Sequence, residues 1–402
     1  MLTAAQRREL LAALPTAPSP GQRYLAAAAA RLAQRHAGLL AAALRREPTP
    51  PAQFRVFVVK PVGNRCNLRC SYCFFPEHEG PTMPKELLEA LFAAVAASRL
   101  PAPCFIWHGG EPLLAGQAFY RQVVRLQREL LPAVPVSNRV MTNGTLLDAA
   151  WARFFGEHGF HVSVSLDGPG WVHDHCRRDA AGRGTFRRVN RAFRLLSRSG
   201  LTPGAVAVYA ADRTFPPEEL VELLAGLGAA SFRVNPCLDQ SLGKGYPQAM
   251  AAYARAVLAR GPGLRFSSLD ELWAALLGYG SQVCWMAGTC RHLAGVAPDG
   301  SLWACCERHH GEPGLRLGSL LEQTLEEIWE GEAARTLRAA DHQRRRECAA
   351  CAWSALCQGG CLYHRVVSGG DASALDPLCP VYAQSLALLV SLLDDCLQTG
   401  CP

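Results

Sequence analysis

Three cysteines, Cys66, Cys70 and Cys73, stand in the string CNLRCSYC directly after the apolar run FRVFVVK. Thiolates are ligands for soft metals, and a [4Fe-4S] cubane is normally held by four of them. A CxxxCxxC loop supplies three, which leaves one iron free to take another ligand. The competing readings are buried apolar cysteines, or a zinc site completed by a ligand elsewhere. Zinc sites favour CxxC knuckles with a distant second pair. Here the longer gap comes first, and an aromatic residue, Tyr72, precedes the last cysteine.

The chain has 402 residues, 49% of them apolar, enough for a substantial core and two domains. Its net charge of +7 is carried almost entirely by arginine, since only Lys60, Lys85 and Lys244 are lysines. No basic stripe interleaved with aromatics appears, so nucleic acid is not expected as a partner. Neither is a membrane: no apolar run approaches the ~18 residues that a span requires. The N-terminal segment lacks a signal-peptide core, which places the protein in the cytoplasm, where seventeen cysteines are better read as metal ligands than as disulfides.

The elements that must position the cysteines alternate. Short β-prone runs at 54–60, 104–107, 138–142, 160–166, 205–209 and 231–235 are separated by helical stretches such as KELLEALFAAVAAS and EELVELLAGLG. Six β/α units imply parallel strands with right-handed crossovers, an open or partial barrel of the α/β class. In such barrels the loops after the strands converge on one rim. The cysteine triad follows the first run, HGGEP the second, TNGT the third, SLDG the fourth and NPC the sixth. The chain divides into a helical N-terminal extension (1–50), the barrel (51–240), a helical linker (241–283), a cysteine-rich domain (284–385) and a tail (386–402). The extension reads as a helical cap on the barrel or as a docking element for a partner.

At CNLRCSYC the chain resembles the radical S-adenosylmethionine (SAM) superfamily, whose cluster binds SAM at the open iron. The resemblance implies a TIM-like partial (β/α)6 barrel of the radical SAM type. One electron from the reduced cluster cleaves SAM to methionine and a 5′-deoxyadenosyl radical, which abstracts hydrogen from substrate. It implies that Gly109, Gly110, Glu111 and Pro112 bind the SAM amino group, the glycines allowing close approach and the carboxylate accepting from the amine. Ser165 and Asp167 would bond the ribose hydroxyls, and Asn143 would reach the ligand or orient its loop. Arg177, with Arg178 as the adjacent alternative, would take the SAM carboxylate. Tyr72 would sit beside the adenine or pack. His108, where sulfatase-maturing members usually have glutamine, would contact substrate or brace its loop.

Further along, Cys290 with Gly300 and Cys305, then Cys348, Cys351, Cys357 and Cys361, then Cys379, resemble the SPASM extension, which carries two auxiliary [4Fe-4S] clusters. Matching its motif, and adding Cys284, assigns Cys284, Cys290, Cys305 and Cys361 to one cluster and Cys348, Cys351, Cys357 and Cys379 to the other, three clusters in all with the first. A pair of four-cysteine zinc sites is the alternative. Of the remaining thiols, Cys104 is expected in the core, and Cys237 at the barrel mouth or buried. Cys306 occupies the position where the sulfatase-maturing branch has an aspartate base. A thiol there is a candidate hydrogen-atom donor or acid, or else a packing residue.

The resemblance implies an oxidoreductase acting on a peptide or protein, reduced by a donor such as flavodoxin or ferredoxin. The first expectation is modification of a ribosomally made peptide by cross-linking, thioether formation or epimerisation. The alternatives are formylglycine formation in sulfatases and a non-catalytic iron-sulfur or zinc scaffold.

Overall fold

The computed structural model describes residues 53–73, 75, 78–237, 244–276, 292–304, 313–351, 353, 357, 359–369 and 372–399. The N-terminal extension and Cys284, Cys290, Cys305, Cys306 and Cys401 lie outside them.

Strand β1 (Val56–Val59) is followed by β2 (Leu68–Cys70), a short strand inside the cysteine loop. Helices α1 (Lys85–Ala97), α2 (Gly116–Leu130) and α3 (Ala149–Glu157) then alternate with β3 (Cys104–Trp107), β4 (Ser137–Thr142) and β5 (His161–Ser165). Next come α4 (Gly170–Cys176), β6 (Arg177–Asp179), α5 (Phe186–Arg198), β7 (Gly204–Tyr209), α6 (Pro217–Gly226) and β8 (Ser231–Pro236). Beyond them lie α7 (Tyr246–Arg260), β9 (Arg265–Phe266) and α8 (Ser267–Leu276). The C-terminal part supplies β10 (Leu293–Val296), β11 (Ser301–Trp303), β12 (Arg316–Ser319), α9 (Leu325–Glu330), α10 (Glu332–Glu347), α11 (Leu362–Gly369) and α12 (Cys379–Thr399).

The six expected strands all form, and β1, β3, β4, β5, β7 and β8 lie side by side in that order, every pair parallel. Their alternation sorts the residues. Phe57, Phe105, Trp107, Val140, Val164, Ala207 and Phe232 are buried against the crossover helices, which meet them with leucine, valine and aromatic faces. Helix α5 shows the matching period, burying Val189, Ala192, Phe193 and Leu196. The opposite, inner face of the curled sheet stays accessible: Cys104, Ile106, Met141, Ser163, Ser165, Val206, Val208 and Arg233 are half-buried, and Arg139 is exposed. Cys104 is therefore not a core residue. Phe105 and Trp107 fill the core on that strand, and the period of two turns Cys104 to the inner face.

The sheet does not stop at six strands. Strand β9 adds beside β8, and β10 pairs parallel with β1, Val56 opposite Leu293, carrying β11 and β12 with it as antiparallel neighbours. The C-terminal part thus continues the barrel sheet. Helix α12, which includes much of the stretch read as a tail, packs on α7 and buries Leu386, Leu389 and Val390.

Candidate functional site

The cysteine loop is tied down by a two-stranded antiparallel ribbon in which β2 pairs with β6 and Cys70 faces Arg177. The amide of Ser71 donates to the Cys176 carbonyl at 2.9 Å, extending the tie. Behind the ribbon, just past the end of β5, sits the buried carboxylate of Asp167. It accepts from Arg177 Nε at 2.9 Å and Nη2 at 3.1 Å, from the Tyr72 hydroxyl at 2.6 Å and from the Val208 amide at 3.1 Å. A carboxylate has about four lone-pair positions, and here each is used. Asp167 thus anchors Arg177 and Tyr72. Burial alone would raise its pKa, but the Arg177 guanidinium outweighs that and holds it below the usual carboxylate range. Cys70 lies opposite Arg177 in the ribbon and feels its charge, and the guanidinium lies 5.3 Å from the centre of the Tyr72 ring.

His173, which no sequence motif singles out, links this anchor to the next helix. The Asp167 amide donates to His173 Nδ1 at 3.4 Å, His173 Nε2 lies 2.9 Å from Thr185 Oγ1, and that hydroxyl donates to the Arg177 carbonyl at 2.8 Å. The directions assign a neutral imidazole protonated on Nε2. Burial pushes its pKa down to about 4, which agrees.

The GGEP segment packs against the start of the cysteine loop, the Glu111 amide donating to the Arg65 carbonyl at 2.8 Å. Gly109 and Gly110 have φ of +80° and +38°. A Cβ on Gly110 would lie 2.1 Å from the Arg65 carbonyl oxygen, and one on Gly109 would lie 2.6 Å from the Lys60 side chain. Gly110 thus admits the backbone that leads into Cys66, and Gly109 the Lys60 side chain. Glu111 is wholly buried, and its carboxylate accepts from the Thr142 hydroxyl at 2.7 Å and from the amides of Asn143 and Leu113 at 2.7 and 3.0 Å. It staples the β3 and β4 loops together. Burial lifts its pKa to about 7 despite those donors. Pro112 opens the short turn that follows.

Asn143 orients the loops. Its amide nitrogen donates to Asn67 at 2.9 Å and lies 3.9 Å from the Cys66 sulfur, while its oxygen accepts from the Thr145 amide and hydroxyl. Ser165 is half-buried on the inner face at the rim. Arg178 is exposed and bonds the Asp174 carbonyl, so it stands apart from the Asp167 anchor. The amide of His108 bonds the Val59 carbonyl, and its ring Nδ1 is buried without a partner among the described residues. Burial, then the Lys60 charge, depress its pKa to about 4. Cys237 is buried.

The C-terminal cysteines also converge. Cys379 feels the charges of Cys351 and Cys348, and Cys357 that of Cys379, so the four thiols expected to share a centre share one electrostatic neighbourhood. The Gly360 amide donates to the Cys357 carbonyl at 3.3 Å, and burial raises that thiol to about 11. Asp376, another residue the sequence did not flag, orders this end: its carboxylate accepts from the Cys361 and Leu378 amides at 2.6 and 2.8 Å. The Cys379 amide donates to its carbonyl at 2.9 Å.

Against known proteins, the radical SAM superfamily model matches residues 61–227, and an iron-sulfur cluster-binding domain model, SPASM, matches residues 284–352. The serine-type anaerobic sulfatase-maturating enzyme of Klebsiella aerogenes is 32% identical over 82% of this chain and 84% of its own length. This chain belongs to the radical SAM superfamily. The cysteine-type enzyme of Clostridium perfringens is similar at 28% identity, covering 81% of this chain and 94% of that protein. The structure of native anSMEcpe with bound AdoMet and Cp18Cys peptide superposes with a TM-score of 0.76 at 27% identity, over 85% of this chain and 99% of that one.

A radical SAM enzyme with a SPASM extension works with S-adenosylmethionine and [4Fe-4S] clusters, and the residues on the first rim fit the cluster. Cys66, Cys70 and Cys73 lie within electrostatic reach of one another, and burial pushes Cys66 up to about 12 and Cys70 to about 11. Thiols so reluctant to ionise become ligands only when a strong cation compensates the buried charge. A donor and a cation already face them: the Leu68 amide lies 3.4 Å from the Cys66 sulfur, and the Arg177 charge acts on Cys70. Among the described residues no three cysteine, histidine or acidic side chains close tightly enough to enclose a single metal ion.

Proposed function

We propose that this radical SAM enzyme matures a peptide laid along the inner face of the open barrel, abstracting a hydrogen atom from one residue near the rim. The carrying observation is the contrast between the two faces of the sheet. On β3, β4, β5, β7 and β8 the strand residues facing the helices are sealed, whereas inner-face residues such as Arg139, Ser163, Ser165 and Arg233 are accessible or half-buried. Polar side chains along an accessible sheet face suit an extended polypeptide.

In this reading Cys66, Cys70 and Cys73 hold the SAM-binding cluster, and Cys348, Cys351, Cys357 and Cys379 an auxiliary one. Cys284, Cys290, Cys305 and Cys361 hold a second auxiliary cluster. SAM on the first cluster supplies a carbon-centred radical able to abstract hydrogen. The main chain at Gly109, Gly110 and Pro112, with Tyr72, Asn143, Ser165 and Arg177, surrounds the position SAM takes. Glu111 and Asp167 hold those groups from behind. The strong similarity to sulfatase-maturating enzymes along most of the chain favours two-electron oxidation of a serine or cysteine in the substrate. The auxiliary clusters would then carry the second electron away.

One residue favours a second reading. Cys306 replaces the aspartate expected of the sulfatase-maturing branch, and a thiol beside the substrate can return a hydrogen atom, giving epimerisation or another modification of a ribosomal peptide. Anaerobic incubation with SAM, dithionite and a serine-containing sulfatase-type peptide in D2O separates the two. Oxidation removes two hydrogens from the peptide in step with 5′-deoxyadenosine release. Unchanged heavy-atom composition with deuterium at an α-carbon, abolished by Cys306→Ala, supports the second reading. Release of 5′-deoxyadenosine unaffected by any peptide refutes both.

A further inference from the structure

The outer side of the β2–β6 ribbon carries a charge arrangement that folding alone does not favour. Arg69 and Arg178 stand directly opposite one another in its register, and both are exposed. Like charges placed so are destabilising. Arg69 is also the residue immediately before Cys70, and its guanidinium bonds the carbonyls of Cys66 and Leu68, so this positive edge is part of the cysteine loop itself.

The same sign continues along α5. Arg187, Arg191, Arg194 and Arg198 are exposed and spaced four, three and four residues apart, which aligns them in one ridge. None of the four has an ion-pair or hydrogen-bond partner through its side chain among the described residues. The acids at the start of the helix are otherwise engaged: Asp179 pairs with Arg183 and Arg188, and Asp174 caps the Phe186 amide. The ridge begins beside the cysteine loop, because Thr185, the residue preceding α5, donates its hydroxyl to the carbonyl of Arg177 opposite Cys70. At that same corner Trp171 is 61% exposed, next to Gly170, which abuts the Phe186 ring. Exposed tryptophan and arginine together are the residue types that dominate binding hot spots.

We propose that Trp171 and this arginine ridge dock an acidic, one-electron carrier protein that reduces the SAM-binding cluster. The proposal rests on the reading that Cys66, Cys70 and Cys73 hold that cluster. The carrier loses one electron and the cluster gains it; no atom is transferred, and one such electron is consumed for each SAM cleaved. A ridge of like charge outside the barrel steers an oppositely charged protein to the cluster's outer edge while leaving the inner face free for substrate.

The test uses the anaerobically reconstituted holoenzyme and its triple variant Arg187→Glu/Arg191→Glu/Arg194→Glu, with 5′-deoxyadenosine formation measured under two reductants. Dithionite is small and needs no docking; reduced flavodoxin, an acidic carrier, is the docking probe. With flavodoxin the variant should be slower by at least about tenfold at low salt, and should lose the parent's decline with rising salt. With dithionite the two should match. Trp171→Ala should also slow the flavodoxin reaction alone. An unchanged flavodoxin rate overturns the proposal, as does an equal fall with both reductants, which would make the ridge a structural support. If the parent forms no 5′-deoxyadenosine with dithionite, the cluster reading itself fails. Selective loss of RNA binding by the variant with flavodoxin kinetics intact would assign the ridge to nucleic acid instead and overturn the proposal.

Discussion

Replacing Gly110 with alanine should empty the SAM-binding cluster while leaving the barrel folded. The new Cβ would lie 2.1 Å from the Arg65 oxygen, 2.7 Å from the Arg65 carbonyl carbon and 2.8 Å from that of Asn64. All three atoms are backbone, so no side chain can swing aside. Gly110 also sits at φ +38°, where a side chain costs roughly 1–2 kcal/mol. Relief of the contact requires shifting the loop that begins with Cys66, or bending bond angles by amounts that cost up to about 4 kcal/mol. Together these disfavour the three-thiol geometry by about 3–5 kcal/mol, a factor of roughly 10² or more in its population. Gly159→Ala is the control, since Gly159 has φ +65° and nothing within 4 Å of its Cβ position; it carries only the conformational cost. Iron and sulfide analysis after anaerobic reconstitution should show Gly110→Ala short by about four irons per chain. SAM cleavage should vanish, and circular dichroism should remain that of the parent. Full iron with undiminished SAM cleavage in Gly110→Ala would refute the assignment of these glycines to the cysteine loop.

Other substitutions test the remaining parts. Asp167→Leu leaves the buried Arg177 guanidinium unpaired and should destabilise the barrel by about 3–5 kcal/mol in denaturant titrations. Asp167→Leu/Arg177→Met should recover part of that loss, whereas additive losses would contradict a coupled pair. Glu111→Gln must turn its NH2 either toward the Asn143 amide or toward the Leu113 amide and Thr142 hydroxyl, and should cost about 1–3 kcal/mol, with lower iron retention; parental stability would argue against the staple. Cys357→Ala should remove about four irons yet preserve 5′-deoxyadenosine formation, and loss of SAM cleavage at full iron would count against the auxiliary assignment. Arg139→Glu should raise the KM for a peptide several-fold without changing SAM cleavage in its absence, and an unaltered KM would place the peptide elsewhere.

Much of this enzyme was legible before its structure. The strands appear where the β-branched runs stood, because a strand buried on its outer face needs apolar residues at every second position. The rim motifs gather because loops after parallel strands emerge on one side. Less legible were the contacts that give each motif its local role. SLDG and GGEP advertise a carboxylate, but whether it faces a ligand or the chain depends on neighbours far away in sequence. Asp167 meets Tyr72, and Glu111 meets Thr142, only once the sheet has closed. His173 and Asp376 carry no local pattern at all; their partners define them.

What the sequence by itself determined is the initiating chemistry and the order of the barrel, since both follow from local spacing: three thiols within one short loop, and apolar residues with a period of two. Only the tertiary structure decided that the two motif carboxylates serve the scaffold, that the C-terminal part extends the barrel sheet, and that two arginines of separate segments meet beside the cysteine loop. Each of these depends on desolvation and juxtaposition between distant segments, which no spacing along the chain encodes.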